Sequence, residues 1–94
     1  MTGKFATSKA GHDKLKVYVI IKEETEYVYL ADGVYKTLEK PKKKNKKHIQ
    51  IIHKGHDENL TKKLLNKDKE HVSDEEIKRA IKIYESGREP KEGR

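Results

Sequence analysis

The chain has 94 residues, 23 of them basic and 16 acidic, for a net charge of +7, and its apolar fraction is 32%. That is material for one small core rather than two. The longest apolar run, Val17 to Ile21, is far short of a membrane span. With no cysteine, disulfide scaffolds, thiolate zinc sites and thiol nucleophiles are excluded. The first residues lack the apolar stretch of a secretory signal, so a reducing, cytoplasmic setting is expected.

In chain order, Lys4 to Ser8 is a short strand candidate. Lys16 to Lys22 encloses Val-Tyr-Val-Ile-Ile between charges, β-branched and aromatic enough for a strand. Glu26 to Ala31 reads as the next, joined to it through Glu23-Glu24-Thr25. Asp32-Gly33 favours a tight turn with positive φ, which would send Val34 to Leu38 back as the third strand of a meander. His48 to Ile52 alternates into a fifth strand. Five short strands in so little chain predict a small SH3-like barrel. Its inward set is expected to be Phe5, Val17, Val19, Ile21, Val28, Leu30, Ile49 and Ile51, with Tyr18 and Ile20 on the opposite face.

The period then changes. A short helix is expected from about Glu58 to Asn66, with Leu60, Leu64 and Leu65 as its apolar residues. Val72-Ser73-Asp74-Glu75-Glu76-Ile77 holds a capping box, Ser73 with Glu76, and a hydrophobic staple, Val72 with Ile77. Three acids face the positive end of the helix dipole. Ile77, Ala80, Ile81 and Tyr84 share one face, and Gly87 and Pro90 supply the stop. Helices this short persist only when docked, so both are expected on the barrel, over Tyr18 and Ile20. The resulting division is residues 1–54 as barrel, 55–87 as helical extension and 88–94 as a frayed tail.

The charge is not spread evenly. Residues 1–39 carry six basic and six acidic groups, and residues 55–94 carry ten of each. Between them stand Lys40, Lys42, Lys43, Lys44, Lys46, Lys47 and Lys54 with no acid, so this segment holds the whole excess. A like-charged run repels itself and stays solvated until a polyanion neutralises it. Nucleic-acid phosphate is the commonest such partner and anionic lipid the second. A surface built only for solubility would mix the signs. The run is therefore expected to be a binding loop, although Pro41 to Lys47 also has the composition of a nuclear-localisation tract.

Other chemistry is thinly represented. His53-x-x-His56-Asp57 has no third paired ligand at a recognisable spacing, so no metal or other cofactor is expected. Gly-x-Ser-x-Gly, Gly-x-x-x-x-Gly-Lys and Gly-x-Gly-x-x-Gly are all absent, and a chain this small has little wall for a pocket, so no enzyme activity is expected. Gly11 is either a tight turn or a close approach to phosphate, with Lys9, His12 and Lys14 around it. Tyr35 is a candidate for stacking on an unpaired base, against the plainer reading of a core or surface tyrosine.

Taken together, Ser8-Lys9-Ala10-Gly11-His12-Asp13-Lys14, Val17 to Ile21, Leu30-Ala31-Asp32-Gly33, Glu39-Lys40-Pro41-Lys42-Lys43-Lys44 and Lys47-His48-Ile49 resemble the bacterial KOW-domain RNA-binding proteins. These are small relatives of a KOW-bearing ribosomal-protein family of the archaeal and eukaryotic large subunit. The resemblance covers residues 3–52 and extends less specifically to the start of the second helix. It implies a KOW-type barrel that binds structured, mostly ribosomal RNA without chemistry, in a translation or ribosome-associated role. It maps the KOW glycine to Gly11 and its loop to Lys9, His12 and Lys14. His12 stands where the family usually has Arg, which removes a bidentate phosphate fork, and Leu15 where it usually has a second Gly.

The expected RNA contacts are Lys9, Gly11, His12, Lys14, Lys36, Lys40, Lys42, Lys43, Lys44, Lys46, Lys47 and His48. Lysines are point charges, so shape readout is expected over base readout. The free chain is expected to be a monomer, with RNA and ribosomal or transcription proteins as partners and no membrane. The competing class is a protein–protein adaptor, which would need an exposed aromatic groove. Peripheral membrane binding would need an apolar anchor beside the cations.

Overall fold

The computed structural model describes residues 1–9, 16–53, 55, 57–66 and 72–86. Five strands, β1 (Phe5–Ser8), β2 (Tyr18–Glu23), β3 (Tyr27–Ala31), β4 (Lys42–Asn45) and β5 (Ile49–Ile52), are followed by α1 (Glu58–Leu65) and α2 (Asp74–Ser86). A single 3-10 turn, Lys46–His48, joins β4 to β5. All strand pairs are antiparallel, in the order β4-β3-β2-β1-β5.

The expected barrel does not close: β4 and β5 are open edges with no ladder between them. The sheet is nevertheless curled. From Asn45 to Ile49 the chain can reach at most about 14 Å, whereas the outer strands of a flat five-stranded sheet stand about 19 Å apart. The 3-10 turn fills the seam, and its backbone is committed elsewhere. The Lys46 N–H donates to the Glu26 carbonyl at 3.0 Å, and the His48 carbonyl accepts from the Lys9 N–H at 2.9 Å. Strand count and length led to a barrel, but closure depends on how this one connection is tied down.

Two further expectations are corrected. Val34 to Leu38 is not a strand, and the lysine run is not a solvated loop, because Lys42–Asn45 is β4 itself. The Asp32 carboxylate is the cause. Its Oδ1 accepts the N–H groups of Val34, Tyr35 and Lys36 at 2.8–2.9 Å, while the Asp32 and Gly33 N–H groups donate to the Lys36 carbonyl. That compact turn consumes the backbone groups a strand over 34–38 would need, and the edge of β3 pairs with the next segment available. Registers Tyr27 with Asn45, Val28 with Lys44, Tyr29 with Lys43 and Leu30 with Lys42 follow. Lysine is tolerated there because β4 is an edge, where cations discourage pairing with another chain.

The faces are also redistributed. Ile20 lies opposite Leu30, so Val28 and Leu30 share a face with Tyr18 and Ile20, not with Val17 and Val19. Ala6, Tyr18, Ile20, Val28, Leu30 and Ile49 form one core cluster inside the curl, with Ile51 packed against it. Phe5, Val17, Val19, Ile21 and Ala31 face the other way and pack with Leu60, Leu64, Val72, Ile77, Ala80 and Ile81 of the helical segment. The helices therefore cover Phe5 and Val19, not Tyr18 and Ile20. Ile21 follows Val17 and Val19 to the helix side by alternation, and a bulge between Ile20 and Lys22 brings Lys22 opposite Tyr29.

The capping signal of α2 is realised as read, and α1 carries a cap that the sequence reading did not name. Asp57 caps α1 by accepting from the Leu60 N–H at 3.1 Å. At α2 the Ser73 N–H donates to Glu76 Oε1 and the Glu76 N–H to Ser73 Oγ, the two halves of the capping box. Val72 and Ile77 are both buried. The expected stop at Gly87 and Pro90 and the tail at 88–94 lie outside the described residues.

Candidate nucleic-acid interface

Strand β4 alternates its side chains across the open edge of the sheet. Lys42 and Lys44 stand opposite Leu30 and Val28, on the side of the inner core, and Lys43 stands opposite Tyr29, on the helix side. Each face supplies a tyrosine. The Lys43 ammonium lies 4.5 Å from the Tyr27 ring centroid and 6.0 Å from that of Tyr29, and Lys42 lies 5.6 Å from that of Tyr18. Lys22 lies 5.4 Å from Tyr29 but is paired with Glu24 at 3.6 Å, so it adds little free charge. The electron-rich ring faces hold the β4 ammonium groups near the sheet without neutralising them. The chemical result is an edge of cations spaced by the strand repeat, backed by aromatic rings.

The residues singled out from the sequence are placed unequally. Lys42, Lys43 and Lys44 are brought together on β4, and Lys47 and His48 follow, exposed, on the 3-10 turn. The bond from the Lys9 N–H to the His48 carbonyl sets Lys9, at the end of β1, beside that turn. Lys46 is turned away to Glu23, at 2.7 Å. With the Lys46 hydrogen bond and the amino group of Met1, at 2.9 Å, the Glu23 carboxyl is held below its usual range. Lys40 is exposed just before β4, its N–H donating to Thr37 Oγ1. Lys36 belongs to the Asp32 turn, where its backbone is fully used. Gly11, His12 and Lys14 lie outside the described residues.

The Asp32 turn is built electrostatically. Burial disfavours its charge, but the Lys16 ammonium at 2.7 Å and the N–H groups of Lys36 and Val34 outweigh this and hold the carboxyl below its usual value. Lys16 in turn lies 4.8 Å from the ring centroid of Tyr35 and 5.8 Å from that of Tyr18. Sequence reading missed Lys16, Lys22, Tyr27 and Tyr29 as members of this surface, and the buried Tyr18 ring behind it. The available signal was the two-residue spacing of Lys16 with Tyr18 and of Tyr27 with Tyr29, which puts each pair on one face of a strand.

Among the described residues, no group of three or more His, Asp or Glu side chains could hold a metal ion, and no helix is long and apolar enough to cross a membrane. No protein-family profile matches the chain, and no curated protein matches it.

Proposed function

We propose that this chain is a non-catalytic RNA-binding protein whose β4 edge and following 3-10 turn grip the phosphate backbone of a structured RNA. The observation that carries the reading is the location of the charge. The whole excess lies within residues 40–54, and three of its lysines stand on β4, which pairs with β3 on one side and is an open sheet edge on the other. Lysines on a fixed strand meet a polyanion at regular intervals and lose less freedom on binding than lysines on a mobile loop. The resemblance of residues 3–52 to KOW-domain RNA-binding proteins supports the same reading and favours ribosomal RNA as the target. A cytoplasmic, translation-associated role and a monomeric free state go with it.

The test is affinity for a structured ribosomal RNA fragment as a function of salt. If four lysines engage phosphate, a fourfold rise in salt weakens binding about 100-fold. Replacing Lys40, Lys42, Lys43, Lys44, Lys46 and Lys47 together by glutamine removes most of that dependence, while circular dichroism shows the fold retained. A flat salt response in the unaltered protein, or undiminished affinity in the substituted one, overturns the proposal.

A further inference from the structure

A second site adjoins the lysine edge, on the loop between β3 and β4. Tyr35 is 79% exposed, the most exposed large apolar side chain among the described residues. Its backbone is not free, because its N–H is one of the three donated to the Asp32 carboxylate. The loop is held to α2 as well, by the Leu38 N–H donating to Asp74 Oδ1 at 2.8 Å. An aromatic ring is thus offered to solvent from an anchored support. Beside it runs a cleft of about 450 Å³ between this loop and α2, within the size range of small-ligand sites.

The lining of the cleft is cationic. Lys16, Lys78 and Lys82 border it, the last two one helical turn apart on α2. Its acids are Asp32, already engaged by Lys16, and Glu85; Lys78 also lies 3.8 Å from Glu75. The cleft neighbours the candidate interface through the buried Tyr18 ring. Lys16 lies near both the Tyr35 and Tyr18 rings, and Lys42 of β4 lies near Tyr18 as well. An open ring flanked by cations, joined to a phosphate-binding edge, is the arrangement that holds an extruded base with its backbone.

We infer that the Tyr35 cleft takes one unpaired nucleotide of the same RNA whose backbone lies on β4, the base stacking on Tyr35 and the adjoining phosphates meeting Lys78 and Lys82. This rests on the RNA-binding reading and adds to it a preference: RNA with an extruded nucleotide over continuous duplex. One ring face does not discriminate among bases, so the preference is for an unpaired position rather than a sequence.

The experiment uses two RNA hairpins that differ only by one bulged uridine, with the unaltered protein, Tyr35→Phe, Tyr35→Ala and the six-lysine glutamine variant. The unaltered protein and Tyr35→Phe bind the bulged hairpin about tenfold more tightly, the scale of one stacked base. Tyr35→Ala loses that preference and keeps its affinity for the unbulged hairpin and its salt dependence. Lys82→Gln reduces the preference by about twofold. If Tyr35→Ala behaves like the unaltered protein, or weakens both hairpins equally, the cleft assignment is overturned. Loss of binding in the six-lysine variant then leaves the RNA-binding proposal standing. If the unaltered protein binds neither hairpin, both proposals fall.

Discussion

Residues 34–38 and 42–45 exchange the roles their composition suggests. Val-Tyr-Lys-Thr-Leu has the β-branched and aromatic content of a strand, yet it forms a turn and loop. Lys-Lys-Lys-Asn has almost none, yet it is β4. Strand propensity expresses side-chain packing on a half-buried face more than any backbone preference. Here backbone hydrogen bonding overrides it twice. Asp32 draws three successive N–H groups into a turn, and the unpaired edge of β3 then takes up whatever extended segment follows. The lysines accept the assignment because an edge strand keeps their ammonium groups in water and offers tyrosine rings to their stems.

Removing what holds the turn should disturb this inversion most. A Cβ at Gly33 would lie 2.4 Å from the Asp74 carbonyl oxygen, and the residue's φ is +83°. Gly33→Ala therefore combines a backbone clash with left-handed strain, and should cost about 3 kcal/mol in denaturant unfolding while loosening α2 from the loop. Asp32→Ala leaves three N–H groups and Lys16 without their acceptor and should cost about 2 kcal/mol, with Asp32→Asn, which keeps an acceptor oxygen, costing less. Because the folded state holds the Asp32 carboxyl below its ordinary value of 3.8, its contribution is complete above that pH and is lost as pH falls through the folded value. In Asp32→Asn that part of the acid sensitivity should be missing from a pH series of unfolding midpoints.

Smaller effects sharpen the comparison from the side of the helix and the strand. Ser73→Ala removes half of the capping box on which α2, and through Asp74 the loop, is seated, and should cost about 1 kcal/mol as a lowered melting temperature. Lys43→Gln removes one cation from over Tyr27 and should cost only about 0.5 kcal/mol. A large loss there would mean that the lysine side chains, rather than the backbone ladder, keep β4 in place.

Much of the framework was legible along the chain because its signals are local. The capping box of Ser73 and Glu76, the Leu60 and Leu64 spacing of α1, and the apolar run that became β2 each act over a few residues and were found where expected. The faces were not legible. Alternation told which residues of β2 share a side, but only the register of Ile20 with Leu30 decided which side of β3 they join. The candidate site was legible as charge and not as geometry. Seven lysines without an acid marked the segment, while the rings behind Lys42 and Lys43 came from strands distant in sequence.

The sequence by itself determined two helices and the cap of the second, four of the five strands and the confinement of the excess charge to residues 40–54, whereas the single core it suggested is two clusters on opposite sides of the sheet. The features it determined follow from composition and from interactions between near neighbours. Only the tertiary structure decided that the lysine segment is an edge strand, that the sheet curls without closing, and that Tyr35 stands exposed beside α2. Each of those depends on where distant backbone donors find their acceptors, and a carboxylate at Asp32 or a 3-10 turn at Lys46 can redirect a whole segment without altering its composition.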